Sequence, residues 1–262
     1  MIEPVDDPDD PRLEPYRGVR ERDLVGRQGR FIAEGQVVLE RLVAQSRHQT
    51  LSVLIAAKRL EALQPILERL PSDTPVYSAS QAVMDAVVGF HIHRGILALA
   101  AAAPPADPAG LLQTLGADAL VVVLCGVANH DNMGGVFRNA AAFGVGAVLL
   151  DAHCCDPLYR KAIRVSVGGV LSVPFARLAA DADLPRTLAV AGFEGLALSP
   201  GGATTLAQVR RPRRCAVVFG TEGEGLPADL LARMTSVRIP MAHGFDSLNL
   251  ATTCGIVLHQ LA

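Results

Sequence analysis

The stretch ALVVVLCGV, residues 119–127, constrains the fold more than any other part of this 262-residue chain. It is apolar without a break from Ala119 to Cys125 and has three valines at its centre. A strand with no polar alternation must be covered on both faces, which is the habit of parallel sheets whose crossover helices lie over each side. The next residues fit this: a loop, the helically spaced NMGGVFRNAAAFG, and a second apolar strand, GAVLLD, together a βαβ unit. Further strands are expected at SVPF, GLALS, CAVVFG and SVRIP, and helices from about Leu158, Leu226 and Ser247. The second half therefore reads as a mostly parallel α/β sheet.

The first half repeats the alternation on a smaller scale. EGQVVLERLVAQS has helical spacing, LSVLIAA reads as a buried strand and KRLEALQPILERL is helical again. VYSAS and RGILALA look like strands around a helix begun by Ser78 or Ser80. The stretch AAAPPADPAG, with three prolines, then breaks both periods and places a domain boundary near Pro105. The expected organisation is an arm over 1–30, a small α/β domain over 31–105 and a larger domain over 106–262. The arm holds eight acidic and six basic side chains with little apolar periodicity, which predicts an extended segment, partly disordered or laid over a neighbour.

Composition excludes several classes. With 24 basic and 26 acidic residues the formal charge is -2, so no general field draws the chain to nucleic acid or membrane, and any such site must be local. All basic residues except Lys58 and Lys161 are arginine, read here as compositional bias rather than phosphate recognition. No run approaches the ~20 apolar residues of a membrane span, and the acidic start is unlike a signal peptide, so a cytoplasmic protein is expected. The five cysteines (125, 154, 155, 215 and 254) lack CxxC spacing, which argues against a disulfide framework and a thiolate zinc cluster. They read as buried small hydrophobes, with a strained Cys154–Cys155 redox pair as the alternative. His91 and His93, taken to share one face of a strand, lack a third nearby ligand, and no metal is expected.

Three segments combine glycine with polar residues at strand ends, where ligands bind in open α/β sheets. In the first, Asn132-Met133-Gly134-Gly135-Val136-Phe137-Arg138, Asn132 suits a helix N-cap and Arg138 lies further along the same helix; His130 stands just before it. The second, Gly220-Thr221-Glu222-Gly223-Glu224-Gly225-Leu226, permits close backbone approach, but its two carboxylates disfavour a phosphate cradle and it is neither GxGxxG nor a Walker loop. The third runs from Ile239-Pro240-Met241 to Ser247-Leu248-Asn249, with Ser247 or Asp246 as candidate cap of the last helix. Arg210, Arg211, Arg213 and Arg214 form the densest basic cluster, a phosphate grip or a solvated loop.

In this order the segments resemble the SpoU/TrmH class of RNA ribose 2'-O-methyltransferases of the SPOUT superfamily. N-x-G-x-x-x-R with a following Phe-Gly-Val matches Asn132, Gly134, Arg138 and the AAAFGV stretch; G-x-E-x-x-G-L matches Gly220, Glu222, Gly225 and Leu226. I-P-M and S-L-N match Ile239 to Met241 and Ser247 to Asn249, and K-A-x-R-x-S-x-G matches Lys161, Ala162, Arg164, Ser166 and Gly168. The first half resembles the family's L30e-like substrate-binding module, beginning FxxEG at Phe31, Glu34 and Gly35, although the chain reads His91-Ile92-His93-Arg94-Gly95 where that module has a His-Gln-Gly-like turn.

The resemblance implies a catalytic domain with a C-terminal trefoil knot, preceded by the L30e-like domain, working as a homodimer through the second domain on tRNA or rRNA. It implies S-adenosylmethionine held by Gly220, Ile239 and Leu248, with Thr221, Met241 and Asn249 as neighbours. It assigns the catalytic positions to Arg138, Asn132, Glu222, Ser247 and Asn249, with Arg138 beside the nucleophile as base or as electrostatic stabiliser. The alternative is an RNA-binding protein that keeps the fold without methyl transfer; a nicotinamide-dependent dehydrogenase is disfavoured by the missing fingerprint loop.

Overall fold

The structure, a computed structural model, describes residues 2–17, 24, 28–221, 223–242, 245 and 247–262. They pack as two compact units: Met1–Pro104 with Asp156–Ser172, and Pro105–Cys155 with Val173–Ala262. The division falls inside the proline-bearing stretch 101–110.

The first unit is built on a five-stranded sheet. Its elements run β1 (Ile2–Val5), β2 (Arg30–Glu34), α1 (Gln36–Gln45), β3 (Gln49–Ala56), α2 (Leu60–Leu67), β4 (Val76–Ala79), α3 (Gln81–Val88) and β5 (Ile96–Ala101). The order across the sheet is β1-β4-β3-β5-β2, with β1, β4 and β3 parallel and β5 antiparallel to both β3 and β2. Ser80 is the residue that starts α3, its hydroxyl accepting from Val83 N at 3.2 Å, and left-handed Gly89 ends it.

The arm expectation fails over residues 2–17. β1 pairs with β4, and a 3-10 turn over Pro11–Tyr16 buries Leu13 and Tyr16, whose hydroxyl lies 2.6 Å from Ser52 Oγ. Four residues of strand and one short turn carry too few apolar positions to register as a period, yet Val5, Leu13 and Tyr16 all join the core. Residues 18–23 and 25–27 of the expected arm lie outside the described residues. β2 is a further addition to the expected elements, because FIAE directly precedes the helix and blends into its apolar pattern.

The second unit holds α4 (Pro108–Gln113), β6 (Ala119–Leu124), α5 (His130–Ala142) and β7 (Ala147–Leu150). From Asp156 the chain packs with the first unit, forming α6 (Arg160–Val165) and α7 (Gly169–Ser172). It then continues through β8 (Phe175–Arg177), α8 (Leu184–Val190), β9 (Glu194–Leu198), β10 (Thr204–Thr205), β11 (Arg214–Phe219), α9 (Ala228–Ala232), β12 (Thr235–Arg238) and α10 (Leu250–Leu261). The sheet order is β10-β12-β9-β11-β6-β7-β8 and every recorded pair is parallel. All six residues of β6 are buried, as its unbroken apolar run requires.

Two details of this sheet position the site. Phe219, Leu124 and Leu150 are register partners across β11, β6 and β7, so the turns beginning at Gly220, Cys125 and Asp151 leave three adjacent strands at one level. Helices α5 and α10 approach closely: a Cβ on Gly135 would stand 2.5 Å from Ala251 Cβ, and Asn139 Nδ2 donates to Ala251 O at 2.7 Å.

Candidate active site

A cavity of about 330 Å³ opens in the second unit at the C-terminal ends of β9, β11 and β12. This is where an open parallel sheet presents its strand-end loops to a ligand. Of the residues expected to hold a cofactor, Gly220, Thr221, Ile239, Met241, Leu248 and Asn249 all line it, and so does Ser247. They come from two loops separated in sequence, the one after β11 and the one between β12 and α10.

The wall made by the first loop is tight. A Cβ on Gly220 would lie 2.4 Å from Gly225 C, 2.5 Å from Gly225 O and 2.6 Å from Leu226 N, so the loop folds back onto its own start. An isolated bridge between Thr221 and Gly225 closes it. Gly225 has φ +71°, a conformation that a side chain would strain. Glu222, the expected organising carboxylate, lies outside the described residues.

A third loop, which sequence reasoning missed, completes the wall. Leu198, Ser199 and Pro200 line the cavity because residues 199–203 fold over β12: a Cβ on Gly202 would meet Val237 C at 2.4 Å, and Ala203 N donates to Ser236 Oγ at 3.0 Å. The signal that could have found it is the run Pro200-Gly201-Gly202 after the strand GLALS, where close backbone approach is the usual reason for glycine. No charged side chain is found among the described lining residues.

Beside the cavity, Asn249 joins two helices. Its Oδ1 accepts from Ala251 N at 2.9 Å and Thr252 N at 3.3 Å, and its Nδ2 donates to Asn132 Oδ1 at 2.8 Å. Asn249 is therefore the N-cap of α10; the expected caps were Ser247, which the structure leaves outside that role, and Asp246, which lies outside the described residues. Likewise Asn129 caps α5, accepting from Asp131 N at 2.7 Å and Asn132 N at 3.2 Å. Asn132, expected as that cap, is buried in the first turn, where its side chain faces Asn249 instead of its own helix end. Both corrections share a reason: two polar residues within a turn of each other satisfy the capping pattern equally well, and only packing decides between them.

Arg138 stands on α5 beyond Asn132, exposed, with no ion pair or hydrogen bond among the described residues, and it does not line the cavity. The structure thus brings together Asn132, Ser247 and the six cofactor positions, Asn249 among them, and leaves Arg138 on the adjoining surface. The thiols nearby are not poised as nucleophiles: burial first, and the Asp151 charge second, push Cys125 and Cys154 up to about 12. Cys154 and Cys155 are not joined by a disulfide.

Two other candidates resolve differently. Arg214 is a structural clamp, donating to Ala191 O at 3.2 Å, Leu115 O and Leu112 O at 2.8 Å each, and Gly116 O, with its guanidinium 4.2 Å from the Phe193 ring centroid. Arg211 pairs with Asp118 at 2.7 Å. Arg214 opens β11 and the cavity lies past its far end, six residues or roughly 20 Å away, so these two do not grip a ligand there. His91 and His93 sit in the turn before β5, not on it; their rings meet edge to face at 4.6 Å, and His91 Nδ1 lies 2.7 Å from Asp85 Oδ2. Among the described residues no group of three His, Cys, Asp or Glu could hold a metal ion, and no helix is long and apolar enough to cross a membrane.

Comparison with known proteins gives these features a context. Residues 119–259 match the SpoU rRNA methylase family. An uncharacterised tRNA/rRNA methyltransferase of Mycobacterium tuberculosis is 40% identical over 270 residues, covering 99% of this chain and 91% of that one. Among solved structures, an AdoMet-bound rRNA methyltransferase from Sinorhizobium meliloti superposes with a TM-score of 0.83 at 21% identity, covering 99% of this chain and 97% of its own. An RNA 2'-O ribose methyltransferase superposes at 0.80 and 23% identity, covering 99% and 98%. At these identities the two structures speak to the fold, a mixed α/β architecture with a mostly parallel sheet. The family match spans more than half of the chain and the mycobacterial relative nearly all of it: the chain belongs to the SpoU rRNA methylase family of RNA methyltransferases.

Proposed function

We propose that this chain transfers the methyl group of S-adenosylmethionine to a ribose 2'-hydroxyl of structured RNA, tRNA or rRNA. The observation that carries the reading is the cavity itself, walled by Gly220, Ile239 and Leu248 and tied to the helix of Arg138 by the Asn249–Asn132 hydrogen bond.

The residues fit the cofactor. A volume of about 330 Å³ is at the small end of ligand sites, the size for a nucleoside-like group. Leu198, Phe219, Val237 and Ile239 supply apolar walls for a flat ring, and Gly220, lacking a Cβ, lets the loop pack back on Gly225 and Leu226 to form the wall. Thr221, Met241 and Asn249 stand at its edges. When bound, S-adenosylmethionine supplies an electrophilic methyl group on a sulfonium.

The chain's own part is to place and activate the hydroxyl. The Arg138 guanidinium offers a delocalised positive charge and a fork of N–H donors, which suits it to steady a developing alkoxide or an RNA phosphate. Asn132, held by Asn249, fixes the start of the Arg138 helix, and Ser247 with Glu222 orders the substrate side of the loops. Positioning supplies much of the rate in such a transfer. The first unit serves as the L30e-like RNA-binding domain, and a homodimer forms through the second unit, where Ile256 on α10 is 41% exposed and Phe245 is 75% exposed. The knotted C-terminal path and a cytoplasmic location belong to the same reading.

The test is methylation of total RNA from a strain lacking this protein, followed by nucleoside mass spectrometry, with Arg138→Ala as control. A new 2'-O-methyl nucleoside that vanishes in the variant is expected. Binding of S-adenosylmethionine with a base-methylated product would move the reaction off the ribose. RNA binding without S-adenosylmethionine binding would identify a non-catalytic family member.

A further inference from the structure

We propose that Asp151 is a positioning residue for the cavity, acting through the Gly126 turn on Thr221. The inference rests on the reading that S-adenosylmethionine fills the cavity, and its two new residues, Asp151 and Gly126, lie outside the motifs of the family resemblance.

The physical basis is the level ending of β7, β6 and β11. Three turns leave neighbouring strands side by side, and a carboxylate at the first can brace the second. Asp151 Oδ2 accepts from Gly126 N at 2.8 Å, while Oδ1 accepts from His153 N and Cys154 N at 2.9 Å each. The two turns are joined along their length: Cys155 N donates to Val127 O at 2.9 Å, Val127 N reaches Cys154 Sγ at 3.4 Å, and Cys154 Sγ donates to Leu124 O at 3.3 Å. Arg177 locks the outer side, donating through Nη1 to Asp151 O at 2.8 Å and Cys154 O at 2.9 Å, and through Nη2 to Cys155 O at 3.4 Å.

The braced turn then meets the cavity wall. Gly126 has φ +67°, and Thr221 Cγ2 stands only 2.5 Å from where its Cβ would be, so the bare Gly126 backbone is the surface against which Thr221 rests. Thr221 lines the cavity and forms the bridge that closes the loop after β11. Displacement of the Gly126 turn removes the support of Thr221, and the loop that walls the cavity loosens. Asp151 itself does not line the cavity.

Asp151→Asn keeps two of the three bonds if its oxygen faces His153 N and Cys154 N, but sets an amide donor against Gly126 N–H. Loss of a charge-assisted hydrogen bond of this kind predicts roughly tenfold weaker S-adenosylmethionine binding by calorimetry. Gly126→Ala, which thrusts a methyl group at Thr221, is expected to reproduce the loss. Asp183→Ala serves as the stability control, because it removes a helix cap and the 2.8 Å pair with Arg233 in the same unit without touching the cavity; it should lower the melting temperature and leave affinity unchanged. A second readout needs no cofactor: amide hydrogen exchange of residues 220–226 in the Asp151→Asn protein should quicken together with that of 124–129. Exchange that quickens at 124–129 while 220–226 stays as in the wild type overturns the proposal. Failure of the wild-type protein to bind S-adenosylmethionine would overturn the function reading, and the exchange result would still decide this one.

Discussion

Replacing Gly220 by alanine isolates the contribution of one bare backbone position to the cavity. Gly220 is outside the left-handed region, so an alanine is tolerated by the backbone itself and its effect is steric. The new Cβ would stand 2.4 to 2.6 Å from three atoms of Gly225 and Leu226, all backbone, where ordinary contact is about 3.5 Å or more. No rotamer can relieve this, and the loop must recede by about 1 Å. Overpacking of this kind costs about 1–3 kcal/mol, which in a chain of this size lowers the melting temperature by roughly 2–4 °C per kcal/mol. The binding cost is larger, since a 1 Å misplacement of positioning groups can reduce function on the order of 100-fold. Calorimetric titration with S-adenosylmethionine reads the affinity and differential scanning reads the stability. Gly201→Ala is the matched control: it lies on the third cavity loop, has nothing within 4 Å of its would-be Cβ, and should change neither. Wild-type affinity in Gly220→Ala would refute the claim that this loop forms the cofactor wall.

Arg138→Ala should abolish methyl transfer while retaining S-adenosylmethionine affinity, because Arg138 does not line the cavity; weakened cofactor binding measured by calorimetry would contradict that separation. Arg214→Met should destabilise by on the order of 3 kcal/mol, since it takes a cation from four carbonyl acceptors, and leave cofactor affinity intact; denaturant unfolding and calorimetry check the two halves. His48 is buried and accepts from Ala103 N at 2.9 Å; desolvation, then the Arg47 charge, pulls its pKa from 6.5 down to about 4. Below pH 6.5 the unfolded chain binds a proton that the folded one refuses, so stability is lost as pH falls from 6.5 to about 4. His48→Gln should flatten that part of the urea-midpoint profile, and an unchanged profile would show that another group is responsible.

Much of this architecture is legible along the chain because it rests on local chemistry. The apolar run of β6 dictates burial on both faces, Ser80 marks the start of α3 as a cap should, and the glycines at 220 and 225 announce a loop folded against itself. The motif segments also name, through resemblance, six residues that turn out to line one cavity. Capping is less legible: Asn132 and Ser247 carry the right chemistry, but Asn129 and Asn249 hold the caps, and nothing local distinguishes a cap from a polar residue within a turn of it.

The linear pattern by itself determined the long buried strands, the longer helices and the bare-backbone loop after β11, because burial and backbone freedom act on each residue where it stands; β1, β2 and the loop at 199–203 escaped it, being too short or too weakly patterned to register. Adjacency was decided by the tertiary structure alone. That loops at 199–203, 220–226 and 239–249 share one cavity comes from strand order, with β9 lying between β11 and β12. That Asp151 can brace Gly126, that Arg214 clamps carbonyls instead of meeting phosphate, and that Asn249 reaches Asn132 across 117 residues are all consequences of register and packing. Side chains far apart along the chain meet only once the sheet sets its order, and no local period records that order.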